Sequence, residues 1–150
     1  EAYFQGKKDL FGGLAMERWE KDWESYLVLH IDFSLTKYME LTDLTGQLNL
    51  FLHRWEKIYG KDEAEKTASE RLQGIILRAS EQIGKQVVVL IDEYDAPLLD
   101  SNSDTALQQQ LRNEMRKFFS PPQEVGAVSS LSLHHRHQQV QPTEHLQRTE

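Results

Sequence analysis

The stretch VVVLIDEYDAPLLD, Val87 to Asp100, constrains the fold more than any other part of the 150-residue sequence. Val87 to Ile91 is a continuous apolar run rich in β-branched residues, set off upstream by Gly84 and Lys85. Five apolar residues without alternation describe a strand covered on both faces, as at the centre of a parallel sheet. The run closes on Asp92 and Glu93. In open sheets of this kind ligands sit in the crevice beyond the carboxyl ends of the strands, so the acidic pair is the first place to look for chemistry.

The remaining text supplies the partners that such a strand needs. YLVLHIDFS predicts a second buried strand from Tyr26 to Phe33, with Asp32 and Ser34 at its carboxyl end. From Asp43 to Tyr59, Leu44, Leu48, Phe51, Leu52, Trp55 and Ile58 recur at helical spacing, and Gly60 stops the helix. A second helix is expected from Glu63 to Ile83, with Leu72, Ile75, Ile76, Ala79 and Ile83 on its apolar face and Gly84 at its end. A third is expected from about Thr105 to Phe119, with Asp104 as N-cap. Glu1 to Gly6 read as native chain closing a helix at Gly6, and the Gly12–Gly13 region as a connector with short helical turns. The order of strands and helices predicts an α/β layered fold, a parallel sheet flanked by helices.

Composition removes several classes of function. The net charge of −7 gives no general attraction to phosphate backbones or anionic membranes. No cysteine is present, which excludes disulfides and thiolate chemistry and fits a reducing cytoplasm. No apolar run approaches the roughly 20 residues needed to span a bilayer, and no signal peptide opens the chain. A soluble, cytoplasmic protein without a membrane partner is expected.

An apolar strand ending in Asp-Glu matches the Walker B pattern of nucleotide hydrolases. Asp92 is placed to hold the water shell of a magnesium ion bound to a nucleotide. Glu93 is placed to orient the water that attacks the γ-phosphate. Four apolar residues and an Asp-Glu pair alone are better described as a core strand followed by an acidic turn. The longer string LIDEYDAPLLD, with Tyr94, Asp95, Pro97 and the Leu98–Leu99 pair, is more specific.

With these residues the chain resembles the AAA-ATPase-like family, P-loop NTPase modules usually followed by a PD-(D/E)XK nuclease-like domain. VVVLIDEYDAPLLD resembles that family's Walker B segment, and LFGGL, YLVLHIDFS and LRNEMRKFFS occur in matching order over about Glu1 to Ser120. The resemblance implies a partial P-loop NTPase sheet, ATP and Mg2+ as ligands, Asp92 as the cofactor-binding and metal residue through water, and Glu93 as the catalytic residue. It implies contact with nucleic acid only through a nuclease-like domain absent from these residues, and leaves the oligomeric state open.

Two departures bear on activity. No G-x-x-x-x-G-K-[ST] occurs in the sequence, so the backbone cradle, the phosphate-binding Lys and the magnesium-binding hydroxyl are missing, and the family pattern places them just ahead of Glu1. Past Ser120, residues 121–150 contain no aromatic residue and four of the six histidines, a composition expected to be irregular and disordered. The family pattern has there a hydrophobic strand ending in a Thr-Gly turn. Back-translated and read one base out of register, His134 to Glu150 permit Ile-Thr-Gly-Ile-Ser-Lys-Phe-Ser-Gln-Leu-Ser-Ile-Phe-Ser-Glu-Leu, so a frameshift after about Ser120 is expected. The predicted behaviour is that of an ATPase piece inactive alone, binding nucleotide weakly or not at all. The alternative is a small acidic α/β protein-interaction module.

Other side chains weigh toward packing. His134, His135 and His137 crowd together as metal ligands do, but without a fold to fix them. His30 reads as a core or sheet-end residue, and Asp32 as a neighbour of the crevice. Trp19, Trp23 and Trp55 are interspersed with Glu17, Glu20, Asp22, Glu24 and Glu56, which favours packing over base stacking. Arg112, Arg116 and Lys117 form one basic helical face, expected to be solvated.

Overall fold

The computed structural model describes residues 2–13, 23–120 and 132–133. Three strands, β1 (Leu27–Asp32), β2 (Val87–Asp92) and β3 (Ser132–Leu133), form a sheet in the order β1-β2-β3. Both pairings are parallel. The helices are α1 (Leu41–Tyr59), α2 (Ala68–Ile83), α3 (Ala96–Asp100) and α4 (Thr105–Phe119), with 3-10 turns at Lys8–Phe11 and Phe33–Leu35. The chain is therefore α/β with a parallel sheet, and β2 lies between its two neighbours.

The unalternating apolar run of β2 is buried along Val87 to Ile91. Val87, Val89 and Ile91 point into one core together with Leu29, Ile31 and Phe33 of β1 and the turn after it. Leu44, Leu48 and Leu52 of α1, Leu72 and Ile75 of α2, and Leu111 and Met115 of α4 close that core. Val88 and Leu90, on the opposite face of β2, are also buried, at 2% and 4% exposure. His30 and Asp32 lie on that same opposite face of β1 and are only half-buried.

The element boundaries follow their caps. α1 begins two residues before the expected Asp43, because Asp43 is the third helical residue of a capping box and its carboxylate accepts from the backbone N–H of Glu40. α2 begins at Ala68 and not at Glu63. Asp62 turns the chain by accepting from Ala64 and Glu65, and Thr67 with Glu70 forms the capping box that starts the helix. Asp104 caps α4 as expected, accepting from Leu107 N–H. Gly60 and Gly84 end α1 and α2 at φ values of +93° and +68°. The short α3, with Pro97 in its first turn, was not foreseen.

Residues 2–6 form turns where a helix end was expected. Gly6 does adopt a left-handed φ of +67°, but it does so against Ser25 and Trp23, where a Cβ would lie only 3.2 Å from Ser25 Cβ. Tyr26 N–H donates to Phe4 carbonyl at 2.7 Å, so this segment is fixed by the chain entering β1. Within the segment after Ser120, expected to be disordered, Ser132 and Leu133 pair with Leu90 and Ile91. Residues 121–131 and 134–150, including His134, His135 and His137, lie outside the described residues.

Candidate nucleotide site at the carboxyl ends of the strands

The register of β1 on β2 sets Asp32 opposite Asp92, so both strands end in a carboxylate at the same level. Period-two alternation then puts His30, two residues earlier on β1, on the same face as Asp92. His30 Nε2–H donates to Asp92 Oδ2 at 2.8 Å, and the two side chains are 34% and 37% exposed. At that exposure the pair contributes little to stability. Asp32 is held differently: its Oδ1 accepts from Ser34 N–H at 2.8 Å and from Ser34 Oγ–H at 2.7 Å.

Glu93 follows Asp92 at a φ of +52°, the one non-glycine residue with positive φ among those described. A side chain in this region costs of order 1 to 3 kcal/mol, and such residues cluster at functional sites. The turn is fixed by Ala96 N–H donating to Glu93 carbonyl at 3.0 Å, and by Leu98 and Leu99 donating to Asp95 carbonyl at 2.9 Å. Tyr94 packs on Phe119 of α4 with ring centroids 6.0 Å apart.

Asp100, at the end of α3, reaches back to the loop after β1. Its Oδ1 lies 2.9 Å from Lys37 Nζ, and its Oδ2 accepts from Tyr38 N–H at 3.3 Å. Tyr38 is fully buried and its hydroxyl donates to Phe33 carbonyl at 2.9 Å. Burial, and then the charges of Asp100, Asp32 and Asp43, push the Tyr38 phenol well above its ordinary value, so it remains a neutral donor. The turns after β1 and after β2 are thereby joined.

Asp92 offers one hard oxygen acceptor at an open strand end, of the kind that accepts from the water shell of a bound cation. That suits magnesium, which keeps most of its waters and takes one or two carboxylates together with phosphate oxygens. Among the described residues no group of three His, Asp or Glu side chains converges to cage a metal. A polar cleft lined by His53, Glu56, Lys61, Glu63, Glu65, Lys66 and Arg71 lies apart, between α1 and α2. Arg71 and Lys61 there are paired with Glu56 and Glu63.

Sequence reasoning located Asp92 and Glu93 but missed the Asp92 contact of His30 and the role of Asp100. The signal for His30 was its parity with Asp32; pairing register was needed to use it. Trp55 stacks on Phe51 at 6.0 Å, as packing requires. Arg112, Arg116 and Lys117 are exposed. No helix among the described residues is long and apolar enough to cross a membrane.

Comparison with known proteins identifies the family. The family described as "Predicted AAA-ATPase" matches residues 1–131. That span runs past Ser120, where the resemblance read from motifs stopped. The chain is 32% identical over 119 residues to a protein of Azotobacter chroococcum mcd 1 described as "Uncharacterized protein in vnfD 5'region". The match covers 78% of this chain and 23% of that protein. No solved structure matches. With a family match over most of its length, the chain belongs to the AAA-ATPase-like family.

Proposed function

We propose that this segment supplies the Walker B half of an ATP-hydrolysing site. The observation that carries the reading is the turn at the end of β2, where a buried parallel strand delivers Asp92 to an open strand end and Glu93 follows in a left-handed conformation. Asp92 is the residue that would hold magnesium through its water shell. Magnesium, when bound, neutralises charge developing on the phosphates. Glu93 accepts a proton from, and so orients, the attacking water at the γ-phosphate.

The 150 residues contain no G-x-x-x-x-G-K-[ST], and the backbone cradle of that motif supplies much of the contact to a nucleotide's phosphates. On their own they are expected to be inactive: ATP with Mg2+ should leave their melting temperature unchanged, and no hydrolysis should be measurable. Turnover by these residues alone, abolished by Glu93→Gln, would overturn that statement. In the full-length product of the gene, Glu93→Gln is expected to abolish hydrolysis while leaving nucleotide binding in place. The interaction-module alternative draws no support from the family match.

A frameshift remains part of this proposal, but after about Leu133 and not after about Ser120, because the family match continues through residue 131 in the frame as translated. Its support is the position of β3, which ends at Leu133, directly before the codons that read Ile-Thr-Gly in the shifted frame. The coding DNA tests it: codons that cannot encode that segment would rule it out.

A further inference from the structure

We propose that His30 is a positioning residue for the Asp92 carboxylate, fixing the oxygen that Asp92 presents to a nucleotide-bound divalent cation. The inference rests on the Walker B reading of Asp92 and adds to it a residue from the neighbouring strand. The terminal torsion of an Asp side chain is broad, so a half-exposed carboxylate at a strand end does not hold one orientation unaided. His30 Nε2 is 2.8 Å from Asp92 Oδ2, which occupies one oxygen and sets the carboxylate plane.

The geometry is built into the backbone. Parallel pairing of His30 with Leu90 and of Asp32 with Asp92 makes His30 and Asp92 diagonal neighbours on one face. Rigid strands hold such a contact more closely than loops do. Asp32, the residue opposite Asp92, cannot take this task, because an ionised carboxylate has no donor to offer another; its Oδ1 accepts from Ser34 N–H and Oγ–H instead. A mainly structural role is a poor account of the contact, since a side-chain pair about one third exposed contributes little. Groups that hydrogen-bond a metal-binding side chain typically change metal affinity 10- to 100-fold when removed.

The test uses the full-length product of the gene, with Mn2+ as the probe ion and the non-hydrolysable analogue AMP-PNP. Free Mn2+ is measured by electron paramagnetic resonance. His30→Leu is expected to weaken Mn2+ binding about 10-fold. His30→Gln, whose amide N–H has similar reach, should restore most of it. In Asp92→Asn, adding His30→Leu should cause no further loss, because the two residues act as one unit. If His30→Leu does not fold, His30→Asn, whose amide is too short, takes its place against Gln.

Unchanged Mn2+ affinity in a folded His30→Leu protein, or losses that add to those of Asp92→Asn, would overturn the positioning role while leaving Asp92 as the metal residue. Absence of Mn2+ binding in the wild type would overturn this inference and the Walker B reading of Asp92 together. Wild-type hydrolysis that survives Glu93→Gln, with Mn2+ binding behaving as expected, would sink only the proposed role of Glu93.

Discussion

Glu93 carries the clearest conflict between stability and chemistry in the molecule. Its φ of +52° is one that glycine adopts freely and a Glu does not. Glu93→Gly is therefore expected to raise stability by about 1 kcal/mol, read as a higher urea midpoint. Glu93→Gln keeps the backbone penalty and should leave the midpoint where it is. Tyr38 gives a complementary case. Its buried hydroxyl donates to Phe33 carbonyl, and Tyr38→Phe leaves that acceptor without its donor. A loss of about 1 kcal/mol is expected from denaturation curves. Asp92 and Glu93 were legible in the sequence because a strand-ending Asp-Glu is a local pattern. The His30 contact was not legible, because it depends on which residue of one strand faces which residue of another, 62 positions away.

The helices α1 and α2 are joined by charge as well as by their apolar faces. Arg71 of α2 donates from Nε and Nη2 to both oxygens of Glu56 on α1, at 2.6 and 2.9 Å. These bonds hold the buried Glu56 carboxyl below its ordinary value of 4.5. The sign follows from linkage: the unfolded chain takes up the proton first, so the stabilisation is complete above about pH 5 and drains as pH falls through the depressed value. Glu56→Gln should lower the melting temperature at neutral pH and flatten its fall below pH 5, as a series of thermal scans will show. Arg71→Ala leaves the carboxylate buried and alone, at a cost of about 3 kcal/mol. Gly74 of α2 offers a less obvious test. A Cβ there would overlap the Glu65 carboxylate and crowd Arg78 Nη1, which is hydrogen-bonded to it. Ala improves helix propensity by up to about 1 kcal/mol, yet Gly74→Ala is expected to lower the melting temperature by displacing Glu65. Helical periodicity revealed the elements themselves. Their starts were misplaced because the Thr67-x-x-Glu70 and Glu40-x-x-Asp43 caps outrank the first acidic residue of each run.

At the scale of the molecule, the α/β class and the central place of β2 followed from one unalternating apolar run, because covering a strand on both faces leaves few architectures. What the text could not reveal was β3: Ser132 and Leu133 are too short a run to carry a period, and they become a strand only by adding to the edge that β2 presents. The pairing of Leu27 with Val87 has a temporal consequence as well. Two helices intervene between these strands, and α1 and α2 contact each other through nearby sequence, so they can assemble before any strand pairing exists. Parallel pairing must then close a long loop, which slows folding relative to a helical bundle of the same size. Helical circular dichroism is expected to recover ahead of hydrogen-exchange protection of the β2 amides during refolding, and coincident recovery of both signals would show the order to be wrong. A ribosome releasing this chain exposes His30 long before its partner carboxylate has been synthesised, so the crevice end of the sheet cannot acquire its shape until β2 has emerged.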